Sequence, residues 1–104
     1  MIIYSVTVSV DRDIESDWLA WMRDTHIPDV MRTGYFRRNH IRKHIEPASG
    51  SGRVAYTIEY FCDSMDDYEA YREKEAPALQ RDHTRRYEGR FDASRAVYEI
   101  IQGE

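Results

Sequence analysis

The sequence predicts an α+β fold with the element order βαββαβ, on three observations. Residues 2 to 10 alternate, with Ile2, Tyr4, Val6, Val8 and Val10 on one face and Ile3, Ser5, Thr7 and Ser9 on the other, the period of a half-buried strand. Two stretches at helical spacing each carry an aromatic pair, then a proline, a glycine and a phenylalanine. The two stretches also repeat at a near-constant distance: Trp18-Leu-Ala-Trp21 and Tyr68-Glu-Ala-Tyr71 lie 50 residues apart, and Pro28 and Pro77 lie 49 apart. A split βαβ unit used twice gives a ferredoxin-like plait, a four-stranded antiparallel sheet with both helices on one face.

Each element has its own signal. Asp11 or Asp13 is placed to cap the first helix, whose apolar stripe is Ile14, Trp18, Trp21 and Met22. Pro28 lacks a backbone donor and disfavours helix at Ile27, so a break or kink is expected there. A short new turn would start at Pro28 and close on Gly34. Residues 35 to 46 read as a second strand rich in Arg and Lys, and the Gly/Ser-rich stretch 46 to 52 as a turn. Residues 53 to 62 give a third strand with Val54, Tyr56, Ile58 and Tyr60 aligned. Ser64-Met-Asp-Asp67 is a capping box opening the second helix. Its stripe is Met65, Tyr68, Ala76, Leu79 and His83, with Tyr71 on the flank and a break at Pro77. Gly89 ends that unit, and residues 90 to 101 form the fourth strand, apolar at Phe91, Val97, Ile100 and Ile101.

Composition narrows the function classes. The 104 residues suit one domain, 1–104, burying roughly two-thirds of its unfolded surface. A net charge of −4 argues against nucleic acid, whose binding rests on Lys and Arg neutralising phosphates. A lone Cys62 excludes an internal disulfide and fits a reducing compartment, so the cytoplasm is the expected location. No apolar run spans a membrane, and the N-terminus shows no secretory pattern. Metal sites find no support: His40 and His44 are spread roughly 13 Å along a strand, and no cysteine pair or helical His-x-x-x-His exists. Phosphate loops, nucleophile elbows and nucleotide fingerprints are also missing.

Four side chains are the candidates for a site: Trp21, His26, Tyr68 and His83. His26 lies at the edge of the first helical stripe, where a neutral imidazole beside tryptophan would serve as a base at neutral pH. Its plainer role is a structural histidine bonded to a carbonyl freed by the proline break. His83, in the middle of its stripe, is either the polar lining of a pocket between helices and sheet or a core-edge residue bonded to a carbonyl. Arg38, His40, Arg42 and His44 share one face of the second strand, which reads as an anion-attracting patch, a charged sheet edge, or a surface for the partner's acidic helix. The sheet face away from the helices draws either on Ser5, Thr7, Ser9, Ala55, Thr57 and Phe61 or on the opposite set; small polar residues with a few aromatics suit neither a dry core nor a wholly wet surface. A homodimer covering that face is therefore expected.

Residues 21 to 36, read as W-x-x-x-x-H-I-P-D-V-x-x-T-G-x-F, resemble the signature of a small family of uncharacterised bacterial domains in the dimeric α/β-barrel superfamily. Pro77-Ala-Leu79, His83, Arg86-Tyr87 and Gly89-Arg-Phe91 resemble its second block, and the likeness covers nearly the whole chain. The chain departs from it at Glu75, where a second histidine before proline is expected. The resemblance implies the fold and a homodimer. The wider superfamily includes cofactor-free monooxygenases, haem-handling proteins, isomerases and ethyl tert-butyl ether degradation-type proteins, so function does not follow from fold. The expectation is a homodimeric small-molecule-binding domain without cofactor or metal. The alternatives are a cofactor-independent enzyme (monooxygenase, isomerase or cyclase type) acting on a small aromatic or polyketide-like substrate with His26 as general base, and a purely structural or regulatory dimer with a filled core.

Overall fold

Ten extended residues, β1 (Ile2–Asp11), lie at the centre of a four-stranded antiparallel sheet. The structure, a computed structural model, describes residues 1–48, 50 and 52–103. β1 pairs on one side with β3 (Arg53–Cys62) and on the other with β4 (Phe91–Glu99); β2 (Arg38–Lys43) pairs with β3, giving the order β2-β3-β1-β4. Two helical arms cover one face. The first is α1 (Glu15–Trp21), a π-helical turn (Met22–His26) and α2 (Ile27–Arg32); the second is α3 (Met65–Lys74) and α4 (Ala76–Tyr87). This is the βαββαβ plait the alternation and the repeat predict.

The face each strand gives to the helices follows from its period. Tyr4 of β1 packs on Tyr68 and Tyr71, and Tyr56 of β3 on Trp18, with ring centroids 5.2 to 5.8 Å apart. Even-numbered residues of both strands therefore face the helices, and odd-numbered ones face away. Trp18, wholly buried, is the largest side chain of this core.

Local structure departs from expectation where tertiary contacts compete. Pro28 does not end the first helix. The widened π turn at Met22–His26 absorbs the break, and the chain runs on into α2 with Pro28 in its first turn. Gly34 then closes the arm at φ +86°. Neither Asp11 nor Asp13 caps a helix; Asp11 accepts from Arg90 Nε at 2.6 Å and meets Arg53 at 3.0 Å, and Asp13 meets Arg90. Ser64 does cap α3, its Oγ accepting from the Asp67 backbone N–H at 3.2 Å. On the second stripe Met65 is 43% exposed while Tyr71, expected on the flank, is 3% exposed, because the helix rolls its aromatic side onto Tyr4 and Phe36.

β2 is shorter than the expected 35–46. Phe36 leaves the strand direction to pack between Tyr60 and Tyr71, at 5.3 and 4.8 Å. β4 is likewise shorter than 90–101. It lies at the sheet edge and buries little: Ile101 is 85% exposed and Val97 is also exposed. The expected turn 46–52 includes Ser49 and Ser51, which lie outside the described residues; Gly52, at φ +81°, accepts from the Arg12 N–H at 2.8 Å. No helix among the described residues is long and apolar enough to cross a membrane.

Candidate ligand cavity

Small side chains where β1 meets the edge strand β4 leave a space under the helices. Val6 and Val8 of β1 and Ala93 of β4 face His26, His83 and Leu79 across a gap they are too short to fill. The cavity holds about 50 Å³ of space for water, room for a few molecules. Its aromatic wall is Tyr4, Tyr60, Tyr71 and Phe91, and its polar groups are His26, His83, Gln80, Thr84 and Arg95. Among the described lining residues there is one permanent charge, Arg95, and no carboxylate.

The sequence places these groups by helical and strand period. His26 ends the π turn, which carries it inward ahead of Pro28, the kind of local widening that often accompanies a functional site. Leu79, Gln80, His83 and Thr84 recur at i, i+1, i+4 and i+5, one stripe of α4. Phe91, Ala93 and Arg95 alternate along β4 toward the helices, and Arg95 stands opposite Val6.

The two histidines are held differently. Trp18 Nε1–H donates to His83 Nε2 at 2.9 Å. An indole only donates, so Nε2 carries the lone pair, and this bond assigns the His83 proton to Nδ1. Burial, then the neighbouring His26 and Arg95, push the His83 pKa down to about 4, so it is neutral at pH 7. The plainer expectation, a bond to a carbonyl, is replaced by this indole contact. His26 stacks on Trp21 with centroids 5.1 Å apart and meets His83 edge-on at 5.8 Å. Burial lowers its pKa too, opposed by Asp29 and Asp82 and reinforced by Arg95. Among the described residues His26 accepts and donates no side-chain hydrogen bond, and it faces the cavity and not a carbonyl.

Trp21 and Tyr68, expected in the lining, stand one layer behind it. Trp21 supports His26 and takes the Arg86 guanidinium over its outer face at 5.5 Å. Tyr68 supports Tyr4, and Tyr71, Gln80 and Arg95 occupy the wall in their place. Tyr87 ties the two arms together, its hydroxyl donating to Asp17 Oδ2 at 2.8 Å. Arg95 had a legible signal in the alternation from Phe91, which the apolar reading of that strand passes over. The Trp18–His83 bond had none, since 65 residues separate the partners.

Most cations of the basic strand have partners among the described residues. His40 and Arg42 both meet Glu59 (2.5 and 3.1 Å), Arg37 meets Asp63, Lys43 meets Glu15, and Arg38 lies over Phe61. β2 is a charged edge strand, in keeping with one of its expected readings. Among the described residues no group of three or more His, Cys, Asp or Glu is placed to hold a metal ion.

Residues 1–101 match the model of a domain of unknown function, DUF4286. The chain belongs to that family. No curated protein matches the sequence. Solved structures similar to this DUF4286 domain include a proposed antibiotic biosynthesis monooxygenase from Nitrosomonas europaea, 16% identical, with a TM-score of 0.67 over 98% of this chain and 100% of that one. A dimeric ferredoxin-like protein from an uncultured marine organism is 11% identical, with a TM-score of 0.67 over 100% of this chain and 98% of that one. A point variant of MhuD, bound to two manganese protoporphyrin IX molecules per active site, is 16% identical, with a TM-score of 0.69 over 100% of this chain and 98% of that one. Identities this low show the fold alone: the DUF4286 chain has a ferredoxin-like architecture.

Proposed function

We propose that residues 1–104 form one cytoplasmic domain that acts as a homodimer and binds a small molecule, without a cofactor, in the cavity beneath the helices. One observation carries this reading: two neutral imidazoles, His83 buried and His26 half-buried, line the same cavity, and His26 spends neither ring nitrogen on the protein among the described residues. A structural histidine would be expected to satisfy a carbonyl. His26 and His83 contact the ligand; Trp21 holds the ring of His26, and Tyr68 holds Tyr4 behind the wall. The dimer rests on the outer sheet face, where Ser5, Thr57, Ala55 and Phe61 are mostly covered by their own neighbours yet no helix lies over them. The dimeric ferredoxin-like protein of the same fold supports it.

The free lone pair of His26 favours the enzymatic reading as a second one. His26 then acts as general base, removing an acidic C–H proton from a small aromatic or polyketide-like substrate. The filled core required of a purely structural dimer is what the cavity disfavours. The test is the side-chain NMR of His26 and His83 during titration with small aromatic compounds, in the wild type and in His26→Phe. Saturable shifts in the wild type that vanish in the variant, with the fold kept, support the reading. Imidazole signals that no compound moves would sink it.

A further inference from the structure

Arg95 is the one cation among the described residues that line the cavity. Arg32, Arg37, Arg42, Arg53, Arg86 and Arg90 each lie within 4 Å of a carboxylate. Arg95 points from β4 to the helix side of the sheet, and its recorded partner is a phenol: Nε donates to Tyr4 Oη at 3.1 Å. The remaining N–H donors of a guanidinium form a planar fork suited to a carboxylate. The wall around it supplies aromatic rings, two neutral imidazoles, Gln80 and Thr84, and no acid among the described residues.

We propose that the cavity takes a small aromatic carboxylate, its two oxygens on the Arg95 guanidinium and its ring among Tyr4, Phe91 and the two histidines. This rests on the ligand-binding reading above and names the class of ligand. One cation and no second one select a single negative charge over a dianion. The Tyr4 contact fixes one edge of the guanidinium, so the fork is held before the ligand arrives. His83, with its proton on Nδ1, adds a neutral donor, and a carboxylate accepts from it without meeting a like charge. A phosphate finds the charge here but no use for the rings.

Benzoate, benzamide and inorganic phosphate, titrated at pH 7.5 against the full chain with the His26 and His83 side-chain NMR signals as readout, test this. Benzoate should bind about tenfold or more tighter than benzamide, the usual size of one charge-assisted contact. Arg95→Gln should bring benzoate down to the level of benzamide and leave benzamide unchanged, while Arg95→Lys restores part of the difference; a thermal melt checks that each variant is folded. Equal binding of benzoate and benzamide, or a benzoate affinity indifferent to Arg95→Gln, overturns the carboxylate and leaves the cavity reading standing. Phosphate binding as tight as benzoate overturns the aromatic part. Failure of both benzoate and benzamide to move either histidine overturns this proposal and the ligand-binding reading together.

Discussion

Trp18 fills the core and fixes a tautomer. Its indole is wholly buried against Tyr56, and its N–H holds His83. Trp18→Ala should therefore cost the roughly 3–5 kcal/mol of a large aromatic truncation. Trp18→Phe separates the two roles: it keeps most of the packing and deletes the donor, for a loss of about 1–2 kcal/mol in chemical denaturation. In that variant His83 loses the bond that blocks Nε2, so its NMR titration midpoint should rise from about 4. His26 has no such bond, so His26→Ala should change stability by less than about 1 kcal/mol while abolishing any ligand-induced shift. A drop of several kcal/mol there would mean that His26 is a structural residue. The sequence marks His26 and His83 as special by their place beside proline and on a helical stripe. It does not pair His83 with Trp18, because a hydrogen bond between residues 65 apart exists only once the sheet brings the two arms together.

At the scale of the element, the two arms are variations on one plan. Each is interrupted just before its proline, at Ile27–Pro28 and Ala76–Pro77, and each ends on a glycine with positive φ, Gly34 and Gly89. The first arm resolves its interruption with a π turn and delivers a histidine; the second has Glu75 at the matching place and delivers none. The capping serine was legible because its partner is three residues away. Ser64→Ala should destabilise the protein by about 1 kcal/mol, visible as a lower melting temperature with the same secondary structure. Asp11 and Asp13 had equal local claims as caps and lost them to Arg53 of β3 and Arg90, just before β4. Local signals decide an element where no distant group offers a stronger partner. Strand ends follow the same rule, as Phe36 shows by leaving β2 for the aromatic cluster.

For the whole molecule, imidazoles kept neutral by the fold make stability depend on pH. His83 titrates near 4 when folded and near 6.5 when unfolded, so between those values the unfolded chain binds a proton that the folded chain refuses. Stability is full above about pH 6.5 and falls as the pH drops toward 4. The loss is about 2–3 kcal/mol from this group, allowing for solvent at the cavity. His26, also lowered, adds in the same direction. Acids held low by arginines, such as Asp11 beside Arg90, lose their contribution at lower pH still. Urea unfolding at pH 7 and pH 5 should show about half of this loss, and His83→Gln, which keeps an acceptor for Trp18, should flatten it. The proposed dimer rests on the outer sheet face. Light scattering should give twice the 12.4 kDa chain mass, and Ala96→Arg, opposite Ser5 on that face, should give a folded single chain. A wild type that stays at the mass of one chain would remove the dimer.

By itself the sequence determined the plait, because strand alternation, helical stripes and a repeated proline-glycine pattern are periodic and local, and each names its own buried face. Only the tertiary structure decided the cavity. Its space lies over Val6, Val8 and Ala93, its charge is Arg95 on the edge strand, bonded to Tyr4, and its neutral His83 comes from burial between the two arms. These are distances between residues far apart in the chain, and no period along the chain encodes them.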